Sequence, residues 1–315
     1  MPKPDILQLG TYPAWDQQPL EAAFTMHDLN AAPDPAALLS KVGGHVRGIA
    51  ARGTSVVDRT LISACPRLEI IAVYGVGYDG IDLDAAREKG VRVTNTPDVL
   101  TGDVADLGIA MVLALSRRIP AAERWAKGGD WVENGVFPFT RRVHGKRAGI
   151  LGLGRIGHAL ARRLAGFEME IAYFDLAPIA TTPNWTFIAD PRALAARSDF
   201  LFVTLAANDA TRHIVGKEVI AALGPEGVVV NISRASNVDE PALLDALESG
   251  LLGGAALDVF DAEPRINPRF LALDNVLLQP HHASGTIETR KAMGQLMRDN
   301  LTAHFSGQPL LTPVE

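Results

Sequence analysis

Short apolar runs rich in β-branched residues alternate with stretches of helical period along nearly the whole chain, and no other feature limits the fold as tightly. This is the pattern of parallel α/β sheets. Strands are expected at residues 6–9, 46–50, 69–74 and 91–94, with helices such as 58–64 and 82–89 between them. A proline in TNTPDVLTGD, residues 94–103, interrupts the alternation. Beyond it Val104, Leu107, Ile109, Met111, Val112 and Leu115 predict a buried helix over 103–116, and a first domain boundary falls here. From Lys146 a second series begins: strand 148–151, helix 156–165, then strands 171–174, 200–205, 228–232, 255–259 and 276–278. That is a doubly wound sheet of about six strands. The last helix, 287–305, places Met293, Leu296, Met297, Leu301 and Phe305 on one face, which the first domain can cover if the chain crosses back.

A length of 315 residues accommodates two domains of ordinary size. A net charge of −6 gives no basic surplus for nucleic acid. The basic cluster RRVHGKR, 141–147, lacks interleaved aromatics for stacking bases and reads as a solvated loop. The opening MPKPDILQLG is not a charged segment followed by a long apolar one, and the longest uncharged apolar run is too short to span a bilayer, so a cytoplasmic protein without membrane partners is expected. The single cysteine, Cys65, cannot form an internal disulfide, and no metal-ligand spacing surrounds it; no metal is expected.

RAGILGLGRIGHALARRL carries Gly152, Gly154 and Gly157 in GxGxxG spacing, directly after an apolar strand and opening a helix. In that context Gly152 permits a tight turn, Gly154 lets the backbone approach a pyrophosphate, and Gly157 lets helix and strand pack closely. Asp175 ends the next strand, 18 residues after Gly157, where an acid accepts hydrogen bonds from the adenosine ribose. A 2′-phosphate there would meet a like charge, and the following LAPIA offers no arginine to offset it. NAD(H) is therefore favoured over NADP(H).

In open α/β sheets, ligands lie beyond the carboxyl ends of the strands. Arg234 follows one strand, Asp258 ends another with Glu263 shortly beyond, and His281 follows a third, in QPHHAS. Singly, each has an ordinary reading: a surface charge, a turn acid, a loop histidine. Together, beside a dinucleotide site, they form the set that reduces a 2-keto acid. Arginine grips the carboxylate through two parallel hydrogen bonds, histidine gives a proton to the carbonyl oxygen, and glutamate stabilises the imidazolium.

These motifs, together with VYGVGYDGIDLDAAREKGVRVTNTPDVLTGDVAD, NISRASNVDEPALLDALESGLLGGAALDVFDAEP and NVLLQPHHASGT, span essentially the whole chain. In this order they resemble the D-isomer-specific 2-hydroxyacid dehydrogenases. The resemblance implies catalysis by Arg234, Glu263 and His281, with Asp258 near the nicotinamide carboxamide. It implies that backbone amides of Val76 and Gly77 hold the substrate carboxylate with Arg234, and that Thr101, Arg155, Ile156, Asp175, Thr211, Ile232 and Ser284 line the cofactor. It also implies a flavodoxin-like substrate domain from 1–97 and 286–315, a Rossmann-type cofactor domain over 98–285, an active site in the cleft that closes between them, and a homodimer formed through 103–145. The variable slot of the histidine motif falls on His282.

VYGVGYDGID, NTPDVLT and PLLTPVE look most like bacterial glyoxylate/hydroxypyruvate reductases, a group that includes reductases of larger aryl 2-keto acids and many users of NADPH. Ala235, Thr204 and Ala206 depart from the usual pattern. The formate dehydrogenase branch carries glutamine where this chain has Glu263. An NADH-sensing corepressor that keeps much of the catalytic set is a reading from a different class. The roles of His282, Trp131 and Arg52 are left open.

Overall fold

The computed structural model describes residues 3–180 and 185–314; the outermost ends of the expected substrate segments, 1–2 and 315, lie outside the described residues. The chain divides into two compact units, Met1–Leu100 with Gly285–Glu315, and Thr101–Ser284. Residues 98–100 and 285 thus cluster with the first unit. Among the described residues no helix is long and apolar enough to cross a membrane.

The first unit holds strands β1 (Asp5–Leu9), β2 (Thr25–Asp28), β3 (Val46–Arg52), β4 (Ile70–Tyr74) and β5 (Arg92–Thr94). Among the described residues they form one parallel sheet in the order β2-β1-β3-β4-β5, the flavodoxin-like arrangement. β2 is absent from the sequence reading because TMHD is polar and lies on the edge, where only one neighbour must be satisfied. Leu7, Ile49, Ile71 and Val73 are buried in one core beneath the covering helices. Those helices start where the chain supplies an acceptor for otherwise unpaired amides: Asp58 takes the Leu61 N–H at 2.8 Å and Asp82 the Ala85 N–H at 2.7 Å.

The last helix, Ile287–Phe305, returns to this unit and buries Met293, Met297 and Leu301. Leu296 and Phe305, expected on the same face, are half-buried at its margin. Its place is fixed by polar contacts as well as packing. Tyr74 donates its hydroxyl to the Arg290 carbonyl at 2.8 Å, and the Asn300 amide reaches Thr312 Oγ1 at 2.9 Å. The fully buried carboxylate of Asp16, on helix Ala14–Ala23, pairs with Arg298. Gly294 makes this approach possible, because a Cβ there would fall on the Asp16 carboxylate.

The second unit holds β6 (Arg147–Leu151), β7 (Glu170–Phe174), β8 (Thr186–Phe187), β9 (Phe200–Val203), β10 (Val228–Asn231), β11 (Gly254–Leu257) and β12 (Val276–Leu278). They run parallel in the order β12-β11-β10-β9-β6-β7-β8. Among the described residues the sheet therefore has seven strands rather than about six. The addition, β8, is a two-residue edge strand too short for any periodic pattern. The strand order reverses between β6 and β9, which opens the crevice where α/β sheets take their ligands. Helix Thr101–Ser116 packs on helix Arg155–Ala165, where Gly108 leaves room for the side chains of Ile232 and Leu160.

Replacing Gly294 by alanine should lower the unfolding free energy by about 1–3 kcal/mol, the usual cost of overpacking. Urea denaturation monitored by circular dichroism measures it; an unchanged midpoint would show that the Asp16 contact is easily displaced.

Candidate active site

The crevice at β6 and β9 begins with the glycine loop. Gly152 has a φ of +92°, and its N–H donates to the Phe174 carbonyl at 2.9 Å. That left-handed turn carries the chain sharply from β6 into the helix. A Cβ on Gly157 would collide with the Gly152 carbonyl oxygen, so only glycine fits. Thr204, at the end of β9, braces the turn: its hydroxyl lies 2.6 Å from the Gly152 carbonyl and 3.1 Å from that of Leu151. Helix Arg155–Ala165 starts from Gly154 without a side-chain cap, and no heavy atom lies within 4 Å of a Cβ built on Gly154. An uncapped helix start with open space before it suits a pyrophosphate.

Asp175 sits at the mouth of this loop. It accepts the Leu153 N–H at 2.7 Å and the Leu176 N–H at 2.8 Å, and Leu176 beyond it is exposed. The donor set and the missing Cβ atoms therefore fit a dinucleotide.

On the other side of the crevice, the neighbouring strands β10, β11 and β12 end side by side, which brings together residues far apart in sequence. Arg234 follows β10, Asp258 follows β11 directly, and His281 follows β12. His281 Nδ1 lies 2.7 Å from Glu263 Oε2, while Glu263 Oε1 accepts the Phe260 N–H at 3.0 Å. An ionised carboxylate only accepts, so Nδ1 carries the hydrogen, and Nε2 has no partner among the described residues. Burial pushes the Glu263 carboxyl up, but the hydrogen bond and charge of His281, the Phe260 amide and the charge of Arg234 together outweigh it, and the group lies below its ordinary range.

Asp258 has the opposite balance. It is 1% exposed, and burial raises its carboxyl against two backbone hydrogen bonds, from the amides of His282 at 2.6 Å and Ala283 at 2.9 Å. Those bonds hold the turn in which His281 takes a left-handed φ of +51°. His282 lends its amide to this turn and is itself exposed, so the two adjacent histidines differ in what they contact.

Val76 and Gly77 lie in the first unit on the loop after β4. The Val76 carbonyl accepts from Asn95 at 2.9 Å, while neither amide meets an acceptor among the described residues. Thr101 opens its helix, Arg155 and Ile156 lie in the first turn after the glycine loop, and Ile232 is buried just past β10. Ser284 is half-buried after Ala283. The Thr211 hydroxyl is engaged in its own loop, at 2.8 Å from the Ala206 carbonyl and 3.1 Å from that of Asn208. Among the described residues no group of three or more His, Cys, Asp or Glu side chains is gathered to hold a metal ion.

Two asparagines escaped the sequence reading. Asn231 donates to the Arg234 carbonyl at 2.9 Å and accepts the Ser233 hydroxyl at 2.8 Å; Asn237 donates to the Leu205 carbonyl at 2.9 Å. Both are buried and fix the Arg234 loop. A buried polar residue ending an apolar strand, as in VVVN, is the signal that could have found Asn231.

The sequence model of the family described as D-isomer specific 2-hydroxyacid dehydrogenase, NAD binding domain, matches residues 109–283. The chain is 45% identical over 309 residues to a hydroxyphenylpyruvate reductase of Plectranthus scutellarioides, with 98% of each covered. It superposes on a 2-hydroxyacid dehydrogenase of Ketogulonicigenium vulgare Y25 with a TM-score of 0.94 and 67% identity, covering 100% of this chain and 99% of the other. It also superposes on an NADPH-dependent glyoxylate/hydroxypyruvate reductase of Sinorhizobium meliloti, in complex with NADP and malonate, with a TM-score of 0.92, 40% identity and coverage of 99% and 97%.

A carboxyl depressed in the folded state stabilises the fold fully above its unfolded value and loses that contribution as pH falls through the folded one. The unfolding free-energy gap between wild type and Glu263→Gln should therefore hold at neutral pH and shrink below the ordinary value of 4.5. Urea titrations across that pH range measure it. A gap unchanged at the acid end would mean that Glu263 is not held in its ionised form by its partners.

Proposed function

We propose a function from one premise: this chain belongs to the D-isomer specific 2-hydroxyacid dehydrogenase family. It is an oxidoreductase that acts on the CH–OH group of a 2-hydroxy acid, or in reverse on the carbonyl of a 2-keto acid, with a nicotinamide dinucleotide. The substrate we assign is a small one, glyoxylate or hydroxypyruvate, reduced to the D-hydroxy acid. The observation that carries the chemistry is the 2.7 Å contact between His281 Nδ1 and Glu263 Oε2 in the unit that holds the glycine loop.

A nicotinamide dinucleotide held at the glycine loop would supply the hydride for the keto carbon. Arg234 holds the substrate carboxylate through two parallel hydrogen bonds, and the amides of Val76 and Gly77 contribute to the same task. His281 gives the proton on Nε2 to the carbonyl oxygen as negative charge develops there. Glu263 keeps Nδ1 protonated and balances the imidazolium charge. Asp258 holds the His281 turn and would border the nicotinamide carboxamide; Gly152, Gly154, Gly157, Thr101, Arg155, Ile156, Thr211, Ile232 and Ser284 would line the cofactor.

NADH is the preferred reductant in this reading, although the Sinorhizobium relative is named as NADPH-dependent. A 2′-phosphate about 4 Å from Asp175 would be opposed by roughly 4 kcal/mol per charge pair at an effective dielectric near 20. The relative named hydroxyphenylpyruvate reductase favours a second reading, a larger aryl 2-keto acid as substrate. The exposed side chains of Trp131, Val132, Val136 and Phe139 support a homodimer formed through 103–145, and a cytoplasmic location belongs to the same reading.

Initial rates with glyoxylate, hydroxypyruvate, pyruvate and phenylpyruvate test the assignment, and the two small acids should be reduced fastest. His281→Ala should lower kcat by about two to four orders of magnitude; an unchanged kcat removes His281 from proton transfer. NADH should exceed NADPH in kcat/KM by at least roughly tenfold, and Asp175→Ala should narrow that ratio. A preference for NADPH would sink the Asp175 argument.

A further inference from the structure

The helix that follows the Arg234 loop, Glu240–Glu248, begins with an acid that its own start does not require. Its cap is the preceding residue: the Asp239 side chain accepts the Ala242 N–H at 3.1 Å, and Pro241 has no N–H to satisfy. An acid in a first turn ordinarily serves the exposed amides of its own helix. Glu240 instead turns both carboxylate oxygens to the segment that carries Glu263. Oε2 accepts the Asp261 N–H and Oε1 accepts from the Asn267 side-chain amide, each at 3.2 Å.

Asp261 comes shortly before Glu263 and Asn267 shortly after it, so one carboxylate clasps the segment on both sides of the acid that faces His281. The far side is tied down further. Asn267 Oδ1 caps the short helix Pro268–Leu271 through the Arg269 N–H at 3.2 Å, and Arg269 returns to Asp245 and Glu248 of the Glu240 helix, each at 2.7 Å. The Phe270 ring meets that of Phe260 edge-on, with centroids 6.1 Å apart.

The near side is a tight turn whose successive amides have separate acceptors. The Phe260 N–H donates to Glu263 Oε1 at 3.0 Å, and the next amide, that of Asp261, donates to Glu240. A roll of the turn that released the second amide would displace the first, and with it the Glu263 oxygen that lies 2.7 Å from His281 Nδ1. The clasp has a cost: partial burial and the charge of Glu240 both push the Asp261 carboxyl up. The Arg234 loop has holders of its own in Asn231 and Asn237.

We propose that Glu240 is a positioning residue for proton delivery, its carboxylate fixing the 260–263 turn so that Glu263 stays on the His281 ring. The inference rests on the reading that Glu263 and His281 serve the proton transfer. Glu240 acts through Glu263 alone, and the groups that grip the substrate carboxylate and the dinucleotide do not depend on it.

The test uses whichever of glyoxylate, hydroxypyruvate and phenylpyruvate the wild type reduces fastest. Its kcat and KM, together with the Kd for NADH from fluorescence, are measured in wild type, Glu240→Gln, Glu240→Ala, Glu263→Gln and the double variant Glu240→Ala/Glu263→Gln. Glu240→Ala should lower kcat roughly 10- to 100-fold, the scale of a misplaced catalytic group, with KM and the NADH Kd within about twofold of wild type. Glu240→Gln keeps one acceptor oxygen and should lose less. In the Glu263→Gln background the same Glu240→Ala change should lower kcat by less than about threefold, because nothing is left to position. Equal losses in both backgrounds, or a wild-type kcat in Glu240→Ala, overturn the role of Glu240 and leave the assigned reaction standing. A wild-type kcat in Glu263→Gln, or a wild type that reduces none of the three acids, overturns the assigned chemistry and this inference with it.

Discussion

A parallel strand cannot turn directly back to its neighbour: the chain must cross a face of the sheet before the next strand begins, usually as a helix. All paired strands in both units obey this constraint. Loops at the carboxyl edge are therefore free of the crossover's packing demands and collect there from strands distant in sequence. The order β12-β11-β10 sets Arg234, Asp258 and His281 on three adjacent loops, although 47 residues separate the first from the last. The glycine loop, Asp175 and Thr204 occupy the same edge at β6, β7 and β9.

Two carboxylates near His281 are driven in opposite directions by their surroundings. Partial burial raises the Glu263 carboxyl, but a histidine, an amide and the charge of Arg234 favour its ionised form. Asp258 is sealed from solvent, and two amides do not outweigh the loss of water. The first acts through a side chain on the histidine ring, the second through the backbone on the conformation of the turn. A single acid could not do both, because a carboxylate that accepts the His282 and Ala283 amides has its oxygens directed into the turn rather than at the ring.

Most of the second unit could be read along the chain, since its strands are buried runs such as VVV and FLFV that need no partner to be recognised. Edge strands were harder: TMHD and TF owe their conformation to a single neighbour and carry no period of their own. The helices that begin at Asp34-Pro35 and Asp190-Pro191 were not read from the sequence, although there the aspartate side chain takes an amide and the proline has no N–H to leave unpaired. Of the buried asparagines behind Arg234, Asn237 was missed because its Leu205 partner lies on a separate loop, whereas Asn231 bonds within its own turn to Ser233 and Arg234.

Sequence by itself determined the α/β class, the glycine loop with its acid, and the residue types able to bind a carboxylate and pass a proton, because each is a property of local spacing or of side-chain chemistry. Periodicity could not separate His281 from His282, since both lie beyond the strand where no face is defined; the resemblance alone pointed to His281. What each histidine touches belongs to the tertiary structure. Asp258 captures the amides of His282 and Ala283, the turn places His281 Nδ1 against Glu263, and His282 remains exposed. The pairing depends on which strand ends become neighbours, and strand order is settled by long-range packing rather than by any stretch of chain read alone.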